Sequence, residues 1–176
     1  RYKQYVRGLI YLLTQIGFFC FLKNFALQYL SKFFTLGTET QRKVWNEDLQ
    51  IYQRFPGDNS MLILLYSVLS LAVIAVFLYI WYANIRDSWH AQENLREGRK
   101  IASFRDDLHS LTHERFHITL LSMPMLTLVL FTLLPIIFMI LIAFTNFDAD
   151  HQPPGNLFTW VGMTNVTDIF LGNEIK

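Results

Sequence analysis

Cysteine is almost absent from this sequence. Cys20 is the only one among 176 residues, which excludes an internal disulfide framework and a cysteine-based metal site. An excess of acid or base is absent too, because 15 basic and 14 acidic side chains leave a formal net charge of +1. No internal repeat or low-complexity tract occurs. The total charge therefore says little about partners, and the distribution of charge must be read instead.

Charged side chains are missing from two extended segments. Thirty residues from Ile118 to Phe147 and the twenty-seven residues between Asp58 and Arg86 carry no charge. At about 1.5 Å rise per residue, a helix of either length crosses the roughly 30 Å hydrocarbon core of a bilayer. The sequence therefore predicts two membrane-spanning helices, over residues 118–147 and 59–85.

A third apolar segment lies near the N-terminus. Fifteen uncharged residues precede Lys23, whose ammonium can reach the headgroups if it lies near one membrane surface. A basic start followed by an apolar segment also fits a signal peptide, but no small-residue cleavage site follows. We therefore predict an uncleaved span within residues 1–32. A start without Met and a polar end suggest a piece of a longer protein.

The basic residues are distributed unevenly among the connecting segments. Three precede the first span and six lie in residues 86–117, whereas residues 148–176 contain one base and four acids. Because Lys and Arg favour the cytoplasmic side, we predict a cytoplasmic N-terminus, an extracytoplasmic loop over 33–58, a cytoplasmic loop over 86–117 and an extracytoplasmic segment over 148–176. The predicted fold class is all-α, a polytopic protein of the cytoplasmic membrane with three transmembrane helices.

The predicted cytoplasmic loop has a helical apolar pattern. Ile101, Phe104, Leu108 and Leu111 recur at helical spacing after a break near Gly98, which predicts a cytoplasmic amphipathic helix. Its apolar stripe fits packing on the same protein, the inner membrane surface or a cytosolic partner. In the extracytoplasmic loop, the turn sequence Pro56-Gly57-Asp58 predicts a chain reversal before the second span.

Two prolines fall in the third span. Pro124 is near its start and Pro135 in its middle. Pro135 removes one backbone donor and crowds the carbonyl of Phe131, so we expect an irregularity there, which either shapes a pathway or is simply tolerated.

One short motif suggests zinc chemistry. His113-Glu114-Arg115-Phe116-His117 matches H-E-x-x-H, in which two histidines one turn apart bind zinc and the glutamate activates water. A catalytic site needs a third protein ligand, and the extended pattern would require glycine and histidine where Leu120 and Met123 stand. We expect no enzyme, no cofactor and no resident metal, and we keep a membrane zinc protease only as an alternative.

The end of the third span carries a family resemblance. It lies in Leu133-Leu-Pro-Ile-Ile-Phe-Met-Ile-Leu-Ile-Ala-Phe-Thr-Asn-Phe-Asp148 and His151-Gln-Pro-Pro-Gly-Asn-Leu-Phe-Thr-Trp-Val-Gly162. These sequences resemble the permease subunits of bacterial ATP-binding-cassette importers for maltose and maltodextrin, with Phe147 for a tyrosine and Val166 for a final phenylalanine. The resemblance continues through residues 34–39, 84–87 and 103–105.

The resemblance implies an N-terminal part of such a permease. Its expected partners are a second permease subunit, cytosolic ATP-binding subunits, an extracellular sugar-binding protein and membrane lipid, with no nucleic acid. A permease for lactose, galacto-oligosaccharide or glycerol phosphate is the alternative within transport. The family's ATPase-docking loop and sugar-site helices have no matching residues here, so no substrate-binding residue is assigned. Trp160 could contact sugar or a binding protein, or anchor the chain at the membrane surface.

Overall fold

The computed structural model describes residues 5–98 and 104–172. Its helices are α1 (Tyr5–Phe21), α2 (Leu27–Leu30), α3 (Ser60–Arg96), α4 (Phe104–Thr112), α5 (Phe116–Leu128), α6 (Leu134–Ile142) and α7 (Thr164–Leu171), and its strands are β1 (Arg42–Asn46) and β2 (Ile51–Phe55). The chain divides into two compact units. The first unit comprises the residues up to Asn24 with Leu71–Thr132, and the second comprises Phe25–Ser70 with the residues from Leu133 onward.

Three helical segments are long and apolar enough to cross a membrane: Gly8–Leu30, Ser60–Arg96 and Phe116–Ile142. They confirm the predicted all-α fold class with three candidate spans, since the described chain is mostly helical and has only one short hairpin of strands besides. The second segment continues beyond residue 85, because α3 has 37 residues and therefore extends about 55 Å. That length exceeds the roughly 30 Å hydrocarbon core, so α3 is longer than one perpendicular crossing requires.

Two of the spans contain a π-helical turn. In the first, Leu22–Ala26 joins α1 to α2 and contains Lys23. In the third, Val129–Leu133 joins α5 to α6 and immediately precedes the turn that holds Pro135. A π-helical turn adds one residue to the helical repeat, which is one way for the backbone to accommodate a proline that cannot donate a hydrogen bond. The irregularity predicted at Pro135 is therefore a π-helical turn over Val129–Leu133.

The first connecting loop contains an element that the sequence did not lead us to predict. β1 and β2 form an antiparallel hairpin in which Arg42 lies opposite Phe55 and Asn46 lies opposite Ile51. Its strands do not alternate between apolar and polar residues, because both faces are exposed. This absence of a buried face removes the pattern by which a strand is usually recognised.

The amphipathic helix is present over part of its predicted length. α4 runs from Phe104 to Thr112 and leads through a turn into α5. The hydroxyl of Thr119 donates to the carbonyl of Leu111 at 2.9 Å across that turn. Of the predicted stripe, Ile101 lies outside the described residues.

Candidate functional site at the span ends

The second unit contains one end of each of the three spans. Its buried core consists of Leu36, Ile63, Leu64 and Phe158. Phe158 is reached only after the third span has ended, yet its amide donates to the Ser60 hydroxyl at the start of α3, at 3.3 Å. The segment after the third span therefore folds back onto the beginning of the second.

Asp58 joins the first loop to the end of the first span. Its carboxylate accepts from the ammonium of Lys32 at 2.5 Å and from the amides of Thr38 and Glu39 at 3.0 and 3.2 Å. The Asp58 amide in turn donates to the Glu39 carbonyl at 2.6 Å. Burial opposes ionisation of this carboxyl, but the hydrogen bonds from Lys32, Thr38 and Glu39 prevail and lower the pKa of Asp58.

Gly57 allows that close approach. Its φ is +66°, and a Cβ placed there would lie 2.7 Å from the Glu39 carbonyl oxygen, so no other residue fits without displacement. On the other side of Asp58, the Asn59 side chain accepts from the Leu62 amide at 3.2 Å and caps the first turn of α3. At the predicted reversal Pro56-Gly57-Asp58, the loop therefore contacts the end of the first span and leads directly into the capped start of the second.

Trp160 lies within the second unit rather than projecting from it. The indole Nε1 donates to the Phe33 carbonyl at 2.9 Å, and the ring packs edge-on against Phe33 with centroids 5.5 Å apart. A backbone bridge pairs Trp160 with Thr145. With its only donor used, Trp160 joins two span ends. This contact was not among the roles considered from the sequence, which were contact with sugar or a binding protein and anchorage at the membrane surface.

Asn165 closes the turn after the third span. Its side-chain amide donates to the carbonyls of Ala143 and Thr145 at 2.9 and 2.8 Å. Those carbonyls belong to the last helical turn and its continuation, where backbone acceptors lack a helical partner. Upstream, Gly162 adopts a φ of +62°, and its amide donates to the Phe144 carbonyl at 3.1 Å. Gly162 and Asn165 thus supply hydrogen-bond donors to the backbone carbonyls at the end of the third span.

The segment between these contacts is ordered by Asp148. Its carboxylate accepts from the amides of Asp150 and His151 and from His151 Nδ1 at 2.7 Å. The hydrogen bond from the His151 ring is the main cause of a lowered pKa of Asp148, and partial desolvation opposes it. Asn156 donates to the Asp150 carbonyl at 2.7 Å. These bonds order a local loop.

The possible zinc motif lies across a break in the helix. His113 and Glu114 are in the turn after α4, whereas His117 belongs to α5, so the two histidines are not on one face of a continuous helix as a zinc site requires. His113 instead stacks on His109, with centroids 4.0 Å apart and ring planes at 3°. Within the described part of the chain, no group of three His, Cys, Asp or Glu could hold a metal ion.

Sequence reasoning found part of this site. It placed Pro56-Gly57-Asp58 at a reversal and identified the segment around Trp160, but it missed Lys32, Ser60 and Asn165 as bonding partners. Lys32 lies one residue before Phe33, immediately after an apolar span, and Asp58 comes two residues before the next span. Opposite charges at adjacent span ends are the signal that could have paired them.

Comparisons with known proteins find transport permeases. The chain is 26% identical over 168 residues to the galactooligosaccharides transport system permease protein GanP of Bacillus subtilis (strain 168), with 96% of this chain and 37% of the relative covered. It is 29% identical over 169 residues to the maltodextrin transport system permease protein MalC of Streptococcus pneumoniae serotype 4, with 96% and 35% covered. The maltodextrin transport system permease protein MdxF of Bacillus subtilis (strain 168) is 28% identical over 171 residues, with 96% and 35% covered.

These relatives confirm the resemblance to sugar-transport permeases over nearly the whole of this chain. The chain spans about a third of the length of the curated relatives it matches. No family model matches the sequence, and no solved structure matches it. The chain thus combines three helices long and apolar enough to span a membrane with similarity, over 96% of its length, to proteins named as sugar-transport permeases.

Proposed function

We propose that this chain is the N-terminal part of a permease subunit of an ATP-binding-cassette importer that moves maltodextrin-type oligosaccharides across the cytoplasmic membrane. The supporting observation is an alignment over 96% of the chain with permeases of two maltodextrin systems, combined with three helices able to span a bilayer. Such a permease alternates between outward and inward access while ATP hydrolysis at its partners supplies the energy.

The partners follow from that proposal. They are a second permease subunit, cytosolic ATP-binding subunits, an extracellular sugar-binding protein and the surrounding lipid. None of the residues from Phe116 to Ile142 in the third span is buried within this chain. This exposure supports packing of the span against other subunits or against lipid. The proposed orientation has the N-terminus and the segment that contains α4 in the cytoplasm, on the strength of the Lys and Arg distribution.

The function is tested by uptake. Cells that lack their own maltodextrin importer should take up labelled maltotriose when they express the full-length permease with its partner subunits, and should not when the permease is omitted. A Walker-motif lysine variant of the ATP-binding subunit is the control for energised transport. Uptake that persists with that variant would refute the importer mechanism.

A second solute class is favoured by one observation. The GanP relative is named for galactooligosaccharides and aligns over the same 96% of the chain. Competition between unlabelled maltotriose and unlabelled galactotriose for the same uptake separates the two. Stronger competition by the galacto-oligosaccharide would assign this permease to that class.

The same assay tests the protease alternative. His113→Ala and His117→Ala should each leave sugar uptake unchanged, because the motif is split between a turn and α5 and carries no part of the proposed pathway. His109→Ala, at the ring stacked on His113, is the matched control. If the motif variants abolished uptake and the control did not, the motif would have a function that the geometry does not support.

A further inference from the structure

The hairpin of β1 and β2 has no protein cover. Of its ten strand residues only Asn46 is half-buried, and the other nine are exposed. Trp45, Tyr52, Val44 and Ile51 are among the exposed large side chains. Because an isolated two-stranded hairpin is marginally stable in water, a hairpin with this much exposed apolar surface requires something to pack against.

The two faces of the hairpin differ in charge. Residues directly opposite each other point to the same side, so Lys43, Trp45, Tyr52 and Arg54 share one face, hereafter the basic aromatic face. The rings of Trp45 and Tyr52 meet edge-on there, with centroids 4.9 Å apart. Among the residues that the structure describes, neither Lys43 nor Arg54 has an ion-pair partner, and the face contains no acid.

The polar side chains of the opposite face have partners within the described chain. The Arg42 guanidinium lies 3.6 Å from the Glu39 carboxylate and 5.2 Å from the centre of the Phe55 ring. The Asn46 side chain donates to Gln53 at 3.1 Å. Only the basic aromatic face therefore presents free cations to a ligand.

The hairpin is attached close to the membrane. Four residues separate Phe55 from the start of α3 at Ser60, so their Cα atoms are at most about 18 Å apart in an extended chain. The Asp58 carboxylate and the Gly57 turn fasten this base to the end of the first span. The hairpin therefore lies within reach of the headgroup layer.

We propose that the basic aromatic face lies on the membrane surface and binds the phosphates of anionic phospholipids. Trp and Tyr favour the headgroup level, where the ring body is in an apolar layer and the polar group in water. Lys and Arg are attracted to anionic headgroups, and the phosphates supply the counter-charges that Lys43 and Arg54 lack. Glu47 and Asp48 lie in the turn beyond the strands. The proposal is independent of the transported sugar.

The test uses the full-length permease in its complete transporter, reconstituted in vesicles. A fluorophore on Leu49→Cys, at the hairpin tip, reports proximity to a headgroup-nitroxide lipid. The background replaces Cys20 and any other cysteine of the full-length permease by serine. When Lys43, Trp45, Tyr52 and Arg54 are unchanged, the lipid nitroxide should quench the fluorophore more strongly in vesicles that contain phosphatidylglycerol than in vesicles of phosphatidylcholine alone. Lys43→Gln and Arg54→Gln should each reduce the ratio of docked to undocked hairpins about fivefold, and high salt should reduce it as well.

Arg42→Gln is the matched control, since it makes the same charge change on the opposite face of the same strand and should leave the quenching unchanged. If phosphatidylglycerol did not change the quenching in the labelled protein whose face is unaltered, the proposal would be overturned by that measurement alone. An equal effect of Arg42→Gln would also overturn it. Protection of the label only on addition of the sugar-binding protein would assign the face to that protein instead.

Discussion

A few polar side chains connect the span ends of the second unit. Asp58, Trp160 and Asn165 each bond to backbone groups far away in the sequence. Apolar packing is non-directional, whereas each of these bonds requires one particular geometry. At the scale of single residues, they determine which turn of each span is held against its neighbour.

Asp58→Asn should lower the free energy of unfolding of the full-length permease by about 1–3 kcal/mol. The substitution weakens the charge-assisted hydrogen bonds from Lys32, Thr38 and Glu39, at a side chain that is only 11% exposed. Thermal unfolding in detergent measures it. Asp48→Asn is the matched control, since Asp48 is exposed in the hairpin turn. A loss of stability in the control as large as in the variant would contradict this assignment.

The same carboxyl predicts a pH dependence. A folded-state pKa below the usual 3.8 of Asp means that the stabilisation is fully present above that value and is lost as the pH falls through the lower, folded-state pKa. The melting temperature of the unaltered protein should therefore fall in this acidic range. The fall in melting temperature should be smaller in Asp58→Asn. If the melting temperature depended on pH in the same way in both proteins, the stabilising role of the ionised Asp58 carboxylate would be refuted.

Trp160→Phe should destabilise the permease by about 0.5–1.5 kcal/mol, since it keeps an aromatic ring beside Phe33 but leaves the Phe33 carbonyl without its indole donor. Trp89→Phe, at an exposed position of α3, is the control. The two melting temperatures should differ. If sugar affinity rather than stability changed, Trp160 would have the sugar-contact role considered from the sequence.

At the scale of elements, the ends of the spans are defined by specific closures. α3 begins at the Asn59 cap, and the third span ends where Asn165 and Gly162 satisfy the carbonyls of Ala143, Thr145 and Phe144. The periodicity of apolar residues indicates that a helix exists. Its ends depend on these capping bonds, which involve residues up to 22 positions apart, so hydropathy does not locate them.

Asn165→Ala should detach α7 from the end of the third span, because the carbonyls of Ala143 and Thr145 then lose their side-chain donor. Faster proteolysis of the segment after the third span in the reconstituted permease is the expected readout. Asn156→Ala is the matched control, since that amide bonds only within its own loop, to Asp150. Unchanged proteolysis in Asn165→Ala would show that backbone contacts alone hold the closure.

At the scale of the whole molecule, the second unit brings together the end of the first span, the start of the second and the end of the third. That arrangement is compatible with three alternating crossings. From the distribution of Lys and Arg we predict that Gly155 lies outside and Ser88 inside the cell.

Gly155→Cys should react with an impermeant thiol reagent added to intact cells, and Ser88→Cys should react only after the membrane is opened. Both variants are made in a full-length permease whose native cysteines, including Cys20, are replaced by serine. Gly155 accepts the change, because an added Cβ meets only the Gln152 carbonyl, at 3.8 Å. The opposite labelling pattern would reverse the topology and place α4 outside.

The sequence by itself determined the number of candidate spans and the resemblance to sugar-transport permeases. Span length and hydropathy follow from composition over some twenty residues, and the motif around Trp160 can be recognised as a local sequence. Only the tertiary structure decided what that motif does, that Lys32 pairs with Asp58, and that an uncovered hairpin stands between two spans. Those features depend on contacts between residues 26 to 127 positions apart, and the hairpin leaves no buried face to be read as a pattern. The same geometry split the H-E-x-x-H motif between a turn and a helix, which residue spacing alone could not show.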